Sequence, residues 1–207
     1  ASGEDYFQSL TLSAVLDDKG QVQHYVGLFS DITNQYQQQQ YLEKIALYDG
    51  MTGLPNRSAL TQQLQLLLKK SSTENMLAVA YLDLDGFKEI NDRHGHETGD
   101  QFLIALSERL QAQLGEEELL ARIGGDEFVV LLTGLLDRDD AAIVAEKILL
   151  QLAEPVQLSV SQVKVGASIG IALYPDDGID SNGLLKSADS LMYLAKQSGK
   201  GQYRFSR

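Results

Sequence analysis

Two apolar stretches of this chain, residues 76–82 and 128–132, each lie directly beside a group of carboxylates and glycines. A continuous apolar run of this kind is typical of a strand buried on both faces of a sheet. If the two strands are neighbours, their acidic ends converge, and the like charges then require a metal ion to neutralise them. The pattern therefore predicts a sheet protein that gathers carboxylates and a cation at one end of its central strands.

Strands and helices alternate over most of the chain. Gly124-Gly125 predicts an antiparallel hairpin among them. We therefore expect an α/β or α+β fold, with a central mixed sheet flanked by helices. Periodicity predicts helices over 56–70, 87–92, 98–114, 138–153 and 181–197, and strands over 76–83, 118–123, 127–133, 156–160, 163–173 and 202–206.

The N-terminal part of the chain has a different pattern. Alternating apolar and polar residues predict strands over 8–18 and 21–30, joined by a turn that ends at Gly20. Two strands alone are marginally stable, and the first residue is Ala rather than Met, so we expect the end of a larger sheet in a longer protein. Residues 32–48 predict a Gln-rich helix, either a solvated connector or a signalling stalk and dimer seam.

Net charge restricts the partners of the chain. With 17 basic and 29 acidic residues, the formal charge is −12, which opposes binding to nucleic acid or to an anionic membrane. A small phosphate ligand screened by metal remains compatible with it. The sequence has no cysteine and no apolar run long enough to span a bilayer. We therefore expect no nucleic-acid partner, no membrane contact by this part of the protein, and a cytoplasmic location, even if the full-length protein is membrane-anchored.

The first acidic group is Asp83-Leu84-Asp85-Gly86-Phe87-Lys88. Asp83 and Asp85 lie on the same face of an extended chain, and Gly86 leaves backbone amides open to close approach. Carboxylates together with free amides suit Mg²⁺ and phosphate oxygens. The alternative interpretation is an acidic turn that caps a short helix.

The second acidic group is Gly124-Gly125-Asp126-Glu127-Phe128. The glycines predict a tight turn, and two carboxylates follow where the next strand begins. An ordinary hairpin with its acids in solvent is the alternative, but the apolar run from Phe128 predicts a central strand with a packed start.

Two further pairs of residues point to a nucleotide. Asn91 and Asp100 offer an amide and a carboxylate that match the edge of guanine, although helix capping by Thr98 or Asp100 is an adequate alternative. Lys196 and Lys200 follow the last long helix, where they can reach terminal phosphates or simply complement the helix dipole.

In combination, these motifs make residues 49–207 similar to the GGDEF domain of diguanylate cyclases. The signature that gives the family its name is intact at 124–128. In the family's order, 49–57 resemble its opening motif (with Met51 where Leu is usual), 83–92 its metal and phosphate stretch, 168–172 its core strand, and 193–196 the start of its C-terminal motif. Residues 1–31 resemble the last strands of a PAS sensor domain.

The resemblance implies a fold related to nucleotidyl cyclase and polymerase palm domains. It also implies that two GTP molecules, one on each protomer of a homodimer, condense to cyclic di-GMP and release two pyrophosphates. Asp83, Asp126 and the Leu84 carbonyl would bind two Mg²⁺ or Mn²⁺ ions per active site. Asp126 or Glu127 would help to accept the proton of the 3′-hydroxyl.

The same resemblance implies roles for the remaining site residues. Asn91 and Asp100 would recognise guanine. Because Lys200 stands where the family often has Arg, we expect a modestly weaker grip on phosphate. The phosphates would be held, through backbone amides and two ammonium groups, by Gly86, Phe87, Lys88, Lys196 and Lys200.

One departure from the family concerns regulation. Many members carry an Arg-x-x-Asp product-inhibition motif before the signature, but Gly115 and Glu118 occupy the corresponding positions here. The surrounding acids would repel an anionic product, so we expect that this inhibitory site is absent.

An active cyclase accounts for all of these motifs. The alternative is a catalytically silent GTP-binding module that regulates an adjacent phosphodiesterase domain, but regulatory versions usually lose an acid of the signature. A pure dimerisation or signalling unit leaves the carboxylates unexplained.

Overall fold

The computed structural model describes residues 6–70, 76–115, 117–158 and 162–206 of the 207-residue chain. The chain divides into two compact units, Ala1–Ala46 and Leu47–Arg207. Within the described ranges, no helix is both long enough and apolar enough to cross a membrane.

The first unit contains the predicted hairpin and most of the predicted helix. Strands β1 (Gln8–Leu16) and β2 (Val22–Asp31) pair in antiparallel register, and Gly20 has a φ of 76° in the turn between them. Helix α1 (Thr33–Leu47) follows. No described residue of these two strands is buried, and apolar side chains such as Leu12 are therefore exposed.

The second unit is built around one five-stranded sheet. Its elements are α2 (Arg57–Lys70), β3 (Met76–Asp85), α3 (Phe87–His94), α4 (His96–Gln111), β4 (Leu119–Gly124), β5 (Glu127–Leu135), α5 (Arg138–Ala153), β6 (Val156–Gln157), β7 (Gln162–Val163), β8 (Gly166–Tyr174), α6 (Ser181–Gln197) and β9 (Tyr203–Phe205). The strand order is β4-β5-β3-β8-β9, in which only β8 and β9 are parallel. The mixed sheet and its flanking helices are as the sequence predicts.

The two faces of β3 belong to two separate apolar clusters. Leu82 packs with Phe102 of α4 and Ile148 of α5 on one face. Tyr81 lies in the other cluster, together with residues of α2 and α6. The central strand is therefore buried on both sides, which explains why its sequence is apolar throughout rather than alternating.

The strand predicted over 163–173 is in fact two strands, so this prediction is wrong in one detail. β7 pairs with β6 in a separate two-stranded sheet, and β8 enters the central sheet only at Gly166. Buried Val163 and Val165 flank exposed Lys164, so the alternation of a single strand continues across the break. The predicted strand over 156–160 ends at Gln157, and its last two residues lie outside the described ranges.

Close packing of α6 against β8 fixes the position of the last long helix. A Cβ atom at Gly170 would overlap the Ala188 carbonyl oxygen and the Met192 nitrogen. Only glycine allows the helix backbone to approach the strand this closely. The same approach places Lys196, one turn beyond Met192, next to the end of β3.

Candidate active site

The acidic ends of β3 and β5 lie side by side. Asp83 is the register partner of Glu127, and the Leu84 N–H donates to the Asp126 carbonyl oxygen at 3.2 Å. Gly124 and Gly125 form the turn just before β5, with φ values of 150° and 54°. The two acidic groups are 41 or more residues apart in sequence, but antiparallel pairing brings them together as expected.

Asp83 is the most buried acid of this group. Its side chain is 11% exposed, and Oδ1 has no partner apart from an ion pair of 2.5 Å with Lys196 Nζ. Burial raises the pKa of the Asp83 carboxyl above its usual range; the Lys196 ammonium opposes the rise, whereas the charges of Asp126 and Glu127 add to it. The Lys196 ammonium therefore offsets part of the charge of this carboxylate.

The oxygens at this position fit a hard divalent cation. Asp83, Asp126 and the main chain of Leu84 line one cavity, and carboxylate and carbonyl oxygens are the donors that Mg²⁺ prefers. Among the described residues, no three His, Cys, Asp or Glu side chains are arranged so that they alone could hold a metal ion. A metal ion held here would therefore need donors from a main-chain carbonyl, water or substrate in addition to the two carboxylates.

All residues predicted to bind metal or phosphate line the same cavity, which has a volume of about 500 Å³. Gly86 has a φ of 83° and directly precedes α3, whose first-turn N–H groups have no partner within the helix. The Phe87 ring packs near Phe102, so Phe87 faces the cavity mainly through its backbone. The cavity is lined by Asp83, Leu84, Asp85, Gly86, Phe87, Lys88, Glu89, Asp92, Asp126, Lys196 and Lys200.

The helix-capping alternatives for these acids are wrong. Gly86 is the N-cap of α3 and Gly95 that of α4, and neither cap is made by a side chain. Asp83 and Asp85 therefore do not cap α3, and Asp100 lies inside α4.

The residues predicted to recognise guanine are not among those that line this cavity. Asn91 is in α3 and Asp100 is in α4. The Asn91 side chain packs on Gly99, where an added Cβ would overlap its Oδ1 atom. Because Gly99 has no side chain, the Asn91 amide can lie directly against it. Asp100, which is exposed, is the next residue in the chain.

Two partners of the signature segment carry no local sequence signal. The Arg122 guanidinium donates twice to the Gly125 carbonyl oxygen, at 2.8 and 3.1 Å, and pairs with Asp49 at 2.8 Å. The Tyr81 hydroxyl donates to Glu127 Oε2 at 3.1 Å, and burial, followed by the Glu127 charge, raises the pKa of Tyr81 to about 12. The Arg122–Asp49 and Tyr81–Glu127 contacts join residues 73 and 46 positions apart in sequence, so only the folded structure reveals them.

The residues at the positions of the product-inhibition motif contact each other. Glu118 Oε2 accepts a hydrogen bond of 2.7 Å from the Gly115 N–H. The intervening Glu116 lies outside the described residues.

Comparison with known proteins gives consistent results. Residues 46–202 match the family model described as "Diguanylate cyclase, GGDEF domain". The crystal structure of the GGDEF domain of Pseudomonas aeruginosa YfiN or TpbB superposes with a TM-score of 0.73 at 42% identity, covering 75% of this chain and 98% of that one.

Two longer relatives are named differently from each other. The bifunctional diguanylate cyclase/cyclic di-GMP phosphodiesterase MucR of Pseudomonas aeruginosa is 42% identical over 165 residues, which are 79% of this chain and 24% of MucR. The cyclic di-GMP phosphodiesterase PdeR of Escherichia coli is 38% identical over 174 residues, 84% of this chain and 26% of PdeR. The chain thus spans about a quarter of the length of these relatives. With a family model that matches most of its length and a solved domain of the same fold, the chain belongs to the GGDEF family.

Proposed function

We propose that this chain is a diguanylate cyclase that condenses two GTP molecules into cyclic di-GMP and two pyrophosphates. The observation that carries the proposal is the cavity at the strand ends, which is lined by Asp83 and Asp126 together with Lys196 and Lys200. Carboxylates for metal and ammonium groups for phosphate are the two charge types that binding of a nucleoside triphosphate requires.

In the proposed reaction, the 3′-oxygen of one GTP attacks the α-phosphorus of the other, and the bond to pyrophosphate breaks. Asp83, Asp126 and the Leu84 carbonyl would hold Mg²⁺ or Mn²⁺, two ions per site, which when bound would acidify the 3′-hydroxyl and neutralise the phosphates. Asp126 or Glu127 would take up the 3′-hydroxyl proton.

The chain's own cations would hold the triphosphate. Lys196 pairs with Asp83 in the free chain and lines the same cavity as Lys200, so it can exchange the carboxylate for a terminal phosphate. Backbone amides of Gly86, Phe87 and Lys88 would bind further phosphate oxygens. The Asn91 amide and the Asp100 carboxylate would select guanine.

The proposal extends to the organisation of the protein. We infer that residues 1–31 are the end of a PAS-like sensor domain, 32–48 a signalling helix and 49–207 the cyclase domain, located in the cytoplasm. The exposed apolar side chains of the β1–β2 hairpin support this inference, because such a hairpin needs a larger sheet. Two GTP-loaded chains would have to face each other, so catalysis would require a homodimer.

A catalytically silent module that binds GTP and regulates a phosphodiesterase is the second candidate. The similarity to PdeR favours it, since that relative is named for phosphodiesterase activity. The complete Gly124-Gly125-Asp126-Glu127-Phe128 signature favours the cyclase instead.

Chromatography of the products made from GTP and Mg²⁺ at high protein concentration separates the two candidates. The cyclase predicts cyclic di-GMP and pyrophosphate from the wild type and none from Asp126→Ala. Saturable GTP binding without product, persisting after fusion to a dimerising helix, would favour the regulatory module.

A further inference from the structure

Asp83 and Asp85 are two residues apart in β3 and so point to the same face of the strand, yet their carboxylates have different partners. Asp83 pairs with Lys196. Asp85 accepts two hydrogen bonds of 2.9 Å, from Ser168 Oγ and from the Gly201 N–H. Asp85 thus joins β3, β8 and the loop after α6.

That loop has an unusual backbone. Gly199, Lys200 and Gly201 have consecutive positive φ values of 122°, 62° and 58°, and Lys200 is the one non-glycine residue with positive φ among the described residues. Positive φ is disfavoured for a residue with a Cβ atom. Such a conformation persists only where neighbouring contacts impose it. The bond from Asp85 to Gly201, the residue directly after Lys200, is such a contact.

Lys200 and Asp85 both line the cavity, and the Lys200 N–H also donates to the Ala195 carbonyl oxygen at 3.3 Å. The loop is therefore held at one side by the end of α6 and at the other by the carboxylate of β3. Lysine supplies a charge at this position that glycine, the residue favoured by the backbone, cannot supply.

We propose that Asp85 is a positioning residue that holds Lys200 in the left-handed conformation from which its ammonium group faces the phosphate cavity. Asp85 is accordingly a hydrogen-bond acceptor for the protein and does not serve as a metal ligand. The role rests on the proposed function, in which Lys200 binds the terminal phosphates of GTP.

Asparagine distinguishes an acceptor from a metal ligand. Asp85→Asn keeps an oxygen for the Gly201 N–H, and its amide can donate to Ser168 Oγ, so both links are preserved without charge. Asp85→Ala removes both. A metal ligand would be impaired in both variants, because asparagine keeps one oxygen but loses the negative charge that attracts a divalent cation.

The test is the affinity for 3′-deoxy-GTP, which lacks the attacking hydroxyl, compared with the affinity for GMP, both measured by calorimetry with Mg²⁺. We expect Asp85→Ala to weaken 3′-deoxy-GTP binding about fivefold to tenfold, with GMP binding changed less than about twofold. Asp85→Asn should bind within about twofold of the wild type. In a Lys200→Ala background, Asp85→Ala should add less than about twofold, because the group that it positions is already absent.

Ser168→Ala is the matched control. It removes the other hydrogen bond to the same carboxylate, but β3 and β8 remain paired through their backbones, so a smaller loss of affinity is expected. If Asp85→Ala does not fold, Asp85→Ser replaces it, because the serine side chain is too short for its hydroxyl to reach the Gly201 N–H.

The possible outcomes separate this proposal from the proposed function. Equal losses in Asp85→Asn and Asp85→Ala, or effects of Asp85→Ala and Lys200→Ala that simply add, would overturn the positioning role alone. A loss in Lys200→Ala with none in Asp85→Ala would do the same. No effect of Lys200→Ala would overturn both the phosphate role of Lys200 and the positioning role of Asp85.

Discussion

The cavity proposed to bind metal and phosphate is built differently from the guanine-recognition pair, Asn91 and Asp100, which are proposed to bind guanine. In the cavity, Asp83 is buried beside other acids. Lys196, which lies on a helix far away in sequence but adjacent in space, offsets part of its charge. The second region consists of half-buried Asn91 and exposed Asp100 on two successive helices. Buried like charges destabilise a ligand-free chain, so their presence itself points to a ligand, whereas exposed polar residues are compatible with many roles.

The largest effect is expected from removing a carboxylate of the cavity. Asp126→Ala should lower the rate of cyclic di-GMP formation at least about a hundredfold, because loss of a metal ligand removes several kcal/mol of transition-state stabilisation. Turnover measured by chromatography checks this. Glu108→Gln, an exposed acid of α4, is the control and should retain activity; a similar loss there would mean that the effect of Asp126→Ala is not specific to the cavity.

A second change should disrupt the cavity through packing alone. Gly170→Ala forces α6 away from β8 and so displaces Lys196, with an expected cost of about 1–3 kcal/mol or more in the free energy of unfolding. Thermal denaturation should show a lower Tm, by about 2–4 °C per kcal/mol. Gly50→Ala is the matched control, since its added Cβ meets no atom within 4 Å. Equal Tm values for the two variants would contradict the packing account.

The guanine-recognition pair predicts a change in selectivity without a change in stability. Asp100→Ala should reduce the preference for GTP over ATP by about 1–3 kcal/mol, the contribution of a good bidentate base contact. The Tm of the nucleotide-free protein should remain unchanged because Asp100 is exposed. Competition binding with ATP measures the preference; an undiminished preference for GTP would remove Asp100 from the site.

The cavity also predicts a pH dependence that an exposed site lacks. Because folding raises the pKa of Asp83 above its ordinary 3.8, the folded state binds its proton more tightly than the unfolded state. This group therefore lowers the free energy of unfolding as pH rises from about 3.8 through the raised pKa. Asp83→Asn should then have a higher Tm than the metal-free wild type at neutral pH, and the difference should shrink in acid. An Asp83→Asn protein with a lower Tm at neutral pH would contradict this prediction.

The smallest effect is expected at Glu118. Its carboxylate bonds to the Gly115 N–H, and neither residue supplies the Arg or Asp of the family's inhibitory motif. Cyclic di-GMP should therefore not inhibit through this surface. Glu118→Ala should leave the dependence of cyclase activity on cyclic di-GMP concentration unchanged. Inhibition of the wild type that is lost in Glu118→Ala would show that the surface binds product after all.

The sequence predicts the elements and their order well because buried strands and amphipathic helices leave periodic signals. It predicts that acids gather at strand ends, since each acidic group directly follows or precedes an apolar run. Periodicity failed at Lys164, where the alternation runs through a strand break. It also could not separate Asp83 from Asp85, because both point to the same face and only contacts with Lys196 and Gly201 distinguish them.

The most direct test of the account is the stabilisation of the protein by GTP with Mg²⁺, compared between the wild type and Asp83→Asn. We expect the wild-type Tm to rise when GTP and Mg²⁺ are present together and to rise much less with either alone. Asp83→Asn should begin with a higher Tm and lose most of this ligand-dependent gain. If Asp83→Asn gains as much as the wild type, the buried strand-end acids do not form the metal and nucleotide site.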